Sequence, residues 1–265
     1  MGQDSKIEWT HHTFNPWWGC VKVSPGCAHC YAESFSKRTG NAVWGTQAPR
    51  RFFGDKHWNE PLKWNAAAKA EGIRRRVFCA SMADVFEDRE DLQAPRQRLL
   101  QLIDDTPELD WLLLTKRPEN IGRLMDRAMN GNFDPRKTFA EHMPNVWLGT
   151  TAEDQEHYDS RMPWLFQIEA TVHFVSAEPL LGPIKMNGGW RPDWLIVGGE
   201  SGGRARPMES AWVESLRDEC DERTAFFFKQ WGGVDKKSTG RELDGRTWDA
   251  LPSVNTKAQP DAQNL

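Results

Sequence analysis

With 265 residues and 38% apolar side chains, the chain can bury a sizeable core as one large α/β domain or two small ones, which excludes a disordered or fibrous protein. No apolar run approaches a bilayer span, and the polar opening MGQDSKIEWTHH lacks a secretory pattern, so a soluble, cytoplasmic protein with no membrane partner is expected. A formal net charge of -4 supplies no global basic field, so any contact with nucleic acid has to come from a local patch.

The first distinctive element is GCVKVSPGCAHCY, residues 19–31. It holds three of the five cysteines, Cys20, Cys27 and Cys30, spaced C-x6-C-x2-C. Pro25 and Gly26 bend the chain between the first two, and such a loop can wrap three thiolates around one centre. An odd cysteine count, tight spacing and no signal peptide favour metal or redox chemistry over a secreted disulfide framework. Three readings stand. A [4Fe-4S] cluster held by three cysteines leaves one iron open for a small molecule. A zinc site would need a fourth ligand from His29, His11 or His12. Unligated thiols packed in a core are the third.

Next along the chain, Arg50, Arg51, Phe52, Phe53, Lys56, His57 and Trp58 mix basic and aromatic residues as single-strand nucleic-acid binders do, although a solvated basic stretch is the more ordinary explanation. Apolar runs then recur around Val77, Leu113, Leu148, Phe174, Ile196 and Phe227, with helical patterns between them. They predict central strands of a parallel sheet with helical crossovers, a βα rhythm repeated about six times. Residues 91–106 and 209–222 read as amphipathic helices, the latter with Trp212, Leu216 and Cys220 on its buried stripe. Residues 121–130 form a shorter helix candidate, and residues 131–144 a polar surface excursion. One domain over residues 1–252 and a disordered tail over 253–265 are expected.

Every strand candidate ends in residues capable of chemistry. These are Ser81 and Asp84; Thr115, Lys116 and Arg117; Thr150, Thr151 and Glu153; Ser176 and Glu178; Gly198 to Ser201; and Lys229 and Gln230. Ligand sites of parallel α/β folds form at the carboxyl ends of strands, so the set predicts one large polar site. Helix caps and solvated charges explain any single member equally well. Of the fourteen tryptophans, Trp17, Trp18, Trp44 and Trp231 sit in turn-like surroundings, as cavity walls or as packing under a rim. Cys79 and Cys220 lie inside apolar segments and read as small hydrophobes.

The cysteine loop ahead of a roughly six-fold βα repeat resembles the radical S-adenosylmethionine (SAM) superfamily, in which such a loop follows the first barrel strand. More closely, KIEWTHHTFNPWWGCVKVSPGCAHCYAE, SMADVFED, LLTKRPENI, SAEPLLGPI, LIVGGESGGRARPM and FFFKQWGG resemble the phage-associated gp37/gp68 family of three-Cys-motif, radical-SAM-like proteins, over nearly the whole chain. That family's reaction is unassigned. The resemblance implies a partial (β/α)6 TIM-type barrel of parallel strands, with a [4Fe-4S] cluster on Cys20, Cys27 and Cys30. It implies SAM on the open iron, an external electron donor, and reductive cleavage to a 5′-deoxyadenosyl radical that abstracts hydrogen from a substrate. If the chain is phage-encoded, the compartment is the host cytoplasm.

The gap of six residues between Cys20 and Cys27 departs from the superfamily's usual three. Superfamily members often bind the SAM amine with a GGE-like stretch after the second strand, but that place holds Ser81 to Asp84, and GGE stands late, at Gly198 to Glu200. The amine role is therefore not carried to Glu200. On strand-end placement, Ser81 or Asp84 meets the amine, and Lys116, Arg117 or Glu178 meets the carboxylate or ribose. Arg117, Glu200, Arg204 and Lys229 are assigned toward a substrate, a nucleic acid or nucleotide first, with a peptide or small metabolite behind it. The competing classes are a zinc-stabilised nucleic-acid-binding module and a partner protein that kept the fold without catalysis.

Overall fold

The computed structural model describes residues 2–129, 134, 136–186 and 189–254. Its strands are β1 (His12–Phe14), β2 (Trp17–Trp18), β3 (Arg51–Phe52), β4 (Arg75–Cys79), β5 (Leu109–Thr115), β6 (Val146–Thr151), β7 (Val172–Ala177), β8 (Trp194–Gly198) and β9 (Ala225–Gln230). Seven of them form a sheet in the order β1-β4-β5-β6-β7-β8-β9, every neighbouring pair parallel. Consecutive parallel neighbours joined by helical crossovers curl the sheet into a partial TIM-type α/β barrel, in which β1 and β9 remain the two edges. β2 and β3 pair antiparallel as a separate ribbon.

The six runs expected to be strands are β4 to β9. The seventh, β1, spans only HTF, too short for a periodicity signal, and becomes a strand because His12, Thr13 and Phe14 register against Val77, Phe78 and Cys79. The main crossover helices are α1 (Tyr31–Arg38), α2 (Asp55–Trp58), α3 (Glu60–Glu71), α4 (Gln93–Asp104), α5 (Ile121–Ala128), α6 (Phe139–His142), α7 (Gln155–Leu165) and α8 (Ser210–Glu219).

Two local expectations need correction. Part of the expected excursion over 131–144 is helical: Thr138 and Glu141 close a capping box around α6, which buries Phe139. Residues 131–133 and 135 lie outside the described residues. Helix α8 buries Val213 and Leu216 and stops at Glu219, so Cys220 stands just past its end, with Sγ donating to the Leu216 carbonyl at 3.2 Å. Of the expected tail, Val254 packs against the barrel's inner cluster, and residues 255–265 lie outside the described residues.

Strand alternation divides the apolar residues between two layers. Val77, Trp111, Leu113, Leu148, Val175, Leu195, Val197 and Phe228 join the helices in the outer core. Phe78, Leu112, Trp147, Phe174, Trp194, Ile196 and Phe227 point the other way and, with Trp9, fill the lower interior of the barrel. Each fully buried phenylalanine contributes roughly 1.5–3 kcal/mol relative to exposure. Gly149 makes room in this plug, since a Cβ there would lie 2.4 Å from the Phe174 ring. The open edges are covered by the chain's ends. Thr13 N donates to Gly2 O at 3.0 Å alongside β1, and Phe228 N donates to Trp248 O at 2.9 Å alongside β9.

Candidate functional site

Above the aromatic plug the inward positions turn polar. Thr151, Ser176 and Lys229 follow the last apolar inward residues of their strands, and Glu178 and Glu200 stand just beyond the ends of β7 and β8. These groups line a cavity of about 680 Å³ at the carboxyl ends of the strands, with Phe78 and Leu114 among its apolar wall residues. Residues 2–7, beside β1, form part of another wall.

The cysteine loop closes one side of this cavity. It enters from β2, is tied at Gly19 N to Met82 O at 3.0 Å, turns through a short 3-10 helix at Pro25–Cys27, and passes through Cys30 into α1. All five cysteines are free thiols, and Cys20, Cys27 and Cys30 all line the cavity. Burial pushes the Cys20 thiol up to about 12, Asp84 adds to the shift, and Arg117 opposes it with Nη1 3.8 Å from Sγ. Burial also raises Cys30. Thiolates in this setting need a cation to stabilise them, and a bound metal supplies one.

Among the described residues, no three His, Cys, Asp or Glu side chains gather closely enough to hold a single metal ion. A cluster sets a looser condition, because each of its thiolates binds a different iron and the three need only face one space. The histidines considered for zinc are engaged elsewhere. His29 Nδ1 lies 3.0 Å from Glu200 Oε2, His11 Nδ1 accepts the Arg76 N–H at 2.8 Å, and His12 stacks on Trp64 with its Nδ1 accepting from Asp4 N.

Three carboxylate–arginine pairs surround the loop. Asp84 Oδ1 accepts from Thr115 Oγ1 at 2.7 Å and Phe86 N at 2.9 Å, while Oδ2 accepts from Lys116 N at 3.1 Å and Arg117 Nη1 at 2.7 Å. Arg117 Nη2 then donates to Val21 O at 2.8 Å. Glu153 is fully buried; Oε2 accepts from Arg161 Nη1 at 2.7 Å, and Oε1 accepts the Gly26 N–H at 3.2 Å. Burial alone would raise its pKa, but Arg161, a hydrogen bond from Ser24, Lys116 and His157 hold it below the ordinary glutamate value. Glu200 accepts from Arg206 Nε at 2.9 Å and Nη2 at 2.6 Å, and Arg206 Nη2 also donates to Pro25 O at 3.0 Å. Burial opposes ionisation of Glu200 too, yet hydrogen bonds from Arg206 and His29 bring it down to about 2.

Of the residues assigned to cluster, SAM or substrate, all line this cavity except Arg204, which is exposed and outside it; among the other strand-end residues, Thr151, Ser176, Gly199, Ser201 and Gln230 line it and Thr150 and Glu153 do not. Ser81 Oγ accepts from Asn15 Nδ2 at 3.0 Å, Lys116 Nζ donates to Thr151 Oγ1 at 3.2 Å, and Glu178 pairs with Lys229. Arg117 and Glu200 face the cysteine loop. Asn15 and Arg161 carry no signal in the sequence, because one depends on a partner distant in the chain and the other on a helix face, while Glu153 and Arg206 turn to the cysteine loop.

The glycine motifs have a packing role. A Cβ on Gly199 would lie 2.0 Å from Trp231 O, and one on Gly232 would lie 2.4 Å from Glu200 O, so the GGES and QWGG stretches lie backbone against backbone and seat Glu200.

Among the four turn-flanked tryptophans, Trp44 lines the cavity. Trp17 is buried in packing, Trp18 meets Phe35 and Phe53, and Trp231 meets Phe228. The basic–aromatic stretch is mostly structural. Arg50 is buried against Glu87 and the carbonyls of Val43, Gly45 and Ala48; Arg51 lies over Trp18 and Phe53; and His57 stacks on Phe14. No helix among the described residues is long and apolar enough to cross a membrane.

A family model described as "Protein of unknown function (DUF5131)" matches residues 4–252. No curated protein matches the chain. Among solved structures, variants of spore photoproduct lyase are similar. One cysteine variant shows 12% identity and a TM-score of 0.47, covering 83% of this chain, which spans 63% of that protein's length. A second cysteine variant shows 13% identity, a TM-score of 0.47 and coverage of 85% and 58%. Likeness at that level carries no argument, and the fold rests on its own strand order.

Proposed function

The chain belongs to the DUF5131 family, and we propose that it is an iron-sulfur enzyme of the radical SAM kind, similar to the phage-associated gp37/gp68 type and working in the cytoplasm, that of the host if the chain is phage-encoded. The observation that carries this reading is the convergence of three free cysteines of one loop on a strand-end cavity that already holds a rim of polar side chains. Cys20, Cys27 and Cys30 would hold a [4Fe-4S] cluster, with SAM beside it in the cavity. When bound, cluster and SAM supply one-electron chemistry, drawing an electron from an external donor and ending in hydrogen abstraction from the substrate.

The chain's own residues bind, orient and exclude water. Ser81 at the end of β4 is assigned to the SAM amine, and Lys116 to its carboxylate or ribose. Asp84 acts one step behind them: internal donors occupy both of its oxygens, so it fixes Lys116 and Arg117 in place. Glu178 and Lys229 form a paired rim opposite, able to orient a polar substrate group. Phe78, Leu114 and Trp44 supply apolar wall to the cavity and help exclude water. A nucleotide or nucleic acid is the substrate class we favour, its phosphate meeting Lys229 on the rim.

The test is metal and sulfide analysis of anaerobically purified protein, followed by SAM and dithionite with chromatography for 5′-deoxyadenosine. About four irons per chain and Cys30-dependent 5′-deoxyadenosine are expected. One zinc per chain without SAM cleavage overturns the reading in favour of a zinc-stabilised binding protein.

A further inference from the structure

We propose that Glu153 and Glu200, each held by an arginine, are positioning residues that shape the cysteine loop before any metal arrives. The purpose of this device rests on the cluster reading; its structure does not. Glu153 follows β6 and Glu200 follows β8, and between them they grip the turn at Pro25–Cys27 from two sides. Glu153 Oε1 takes the Gly26 N–H at 3.2 Å, and Arg206, fixed by Glu200, gives its Nη2 to the Pro25 carbonyl at 3.0 Å. His29, on the other side of Cys27, lies 3.0 Å from Glu200.

The contact with Gly26 is close. A Cβ at that position would stand 3.0 Å from Glu153 Oε1, so the loop lies directly on the carboxylate. A buried ion pair such as Glu153 with Arg161 contributes little net stability compared with apolar residues of the same volume. Its distinguishing feature here is the second oxygen, turned away from the arginine toward a backbone amide. Ordering residues 20–30 around a metal costs chain entropy, and a loop already held at Pro25, Gly26 and His29 takes most of that cost out of the binding step.

Hydrogen exchange of the metal-free full-length chain tests this, with peptides from β4 to β9 as the internal standard. Arg206→Ala and Glu153→Ala are expected to speed exchange over residues 22–29 at least ten-fold while the strand peptides stay at wild-type rates. Glu153→Gln, which keeps an acceptor for Gly26, is expected to restore protection. In the reconstituted proteins, iron loss to a chelator should quicken in the same order. If Glu153→Ala unfolds, the strand peptides report it and Arg206→Ala decides alone. A folded Arg206→Ala protein with unchanged loop exchange overturns the proposal. Wild-type protein that takes up no iron would count against the cluster reading, while the exchange result would still decide the bracing.

Discussion

The lower and upper halves of the barrel interior are built by the same strands and filled in opposite ways. Below, Trp147, Phe174, Trp194 and Phe227 pack against one another, with Trp194 nearly perpendicular to Trp147 and Phe227. Above, Lys229, Glu178, Asp84, Glu153 and Glu200 are carried into a partly enclosed space where each requires a partner. The plug holds the barrel together, whereas the rim offers little net stability and is intelligible only through what it holds. Variants in the two halves should therefore fail in different ways.

On the proposed function, the largest effect expected is loss of iron. Replacing any one of Cys20, Cys27 or Cys30 by alanine should abolish iron and sulfide binding, read by metal analysis, with unfolding of the metal-free protein little changed. Cys79→Ala and Cys220→Ala should keep the metal, because Cys79 lies in the outer core and Cys220 at the end of α8. Retained iron in any triad variant would break the comparison.

In the plug the expectation reverses. Trp194→Ala should lower stability by about 3–5 kcal/mol in denaturant unfolding, through the cavity left among its aromatic neighbours. If it instead removed activity at unchanged stability, the lower half would belong to the site.

A smaller effect tests the rule that buried charge needs a partner. Burial, helped by Arg75 and His11, lowers His12 from 6.5 to about 4, so its ring is neutral in the folded protein. Because the folded pKa is depressed, the contribution is full above pH 6.5 and is lost as pH falls from 6.5 toward about 4, where the unfolded chain takes the proton first. The loss is at most about 1.4 kcal/mol per pH unit. His12→Phe keeps a ring on Trp64 and should flatten that part of the pH–stability curve.

The smallest effect on stability belongs to the rim. Converting Glu178 and Lys229 together to methionine should leave unfolding neutral or slightly stabilised, because a desolvated pair is replaced by apolar groups. Turnover should fall all the same. A large loss of stability would show that the pair is structural.

The strands and the site became legible to different degrees. Runs such as WLLLT and WLIVG are apolar on both faces, so six of the seven sheet strands can be read without any partner. Strand β1 has three residues, and its identity lies in its register with β4. At the site, the C-x6-C-x2-C spacing singles out the triad, and strand-end placement singles out Ser81, Lys116, Glu178 and Lys229. Arg117 and Glu200, expected to face a substrate, also contact the cysteine loop, and a charged residue in a sequence does not disclose which of its neighbours will accept it.

By itself the sequence determined the βα rhythm, the cysteine spacing and the polar strand ends, because periodicity and local turn chemistry are written in neighbouring residues. Only the tertiary structure decided which tryptophans fill the plug, which arginine serves which carboxylate, and that Glu153 and Glu200 reach the cysteine loop. Those depend on residues up to 181 positions apart being brought within 3.0 Å, as Arg206 and Pro25 are. Such an approach is set by sheet curvature and strand order, to which no local pattern gives access.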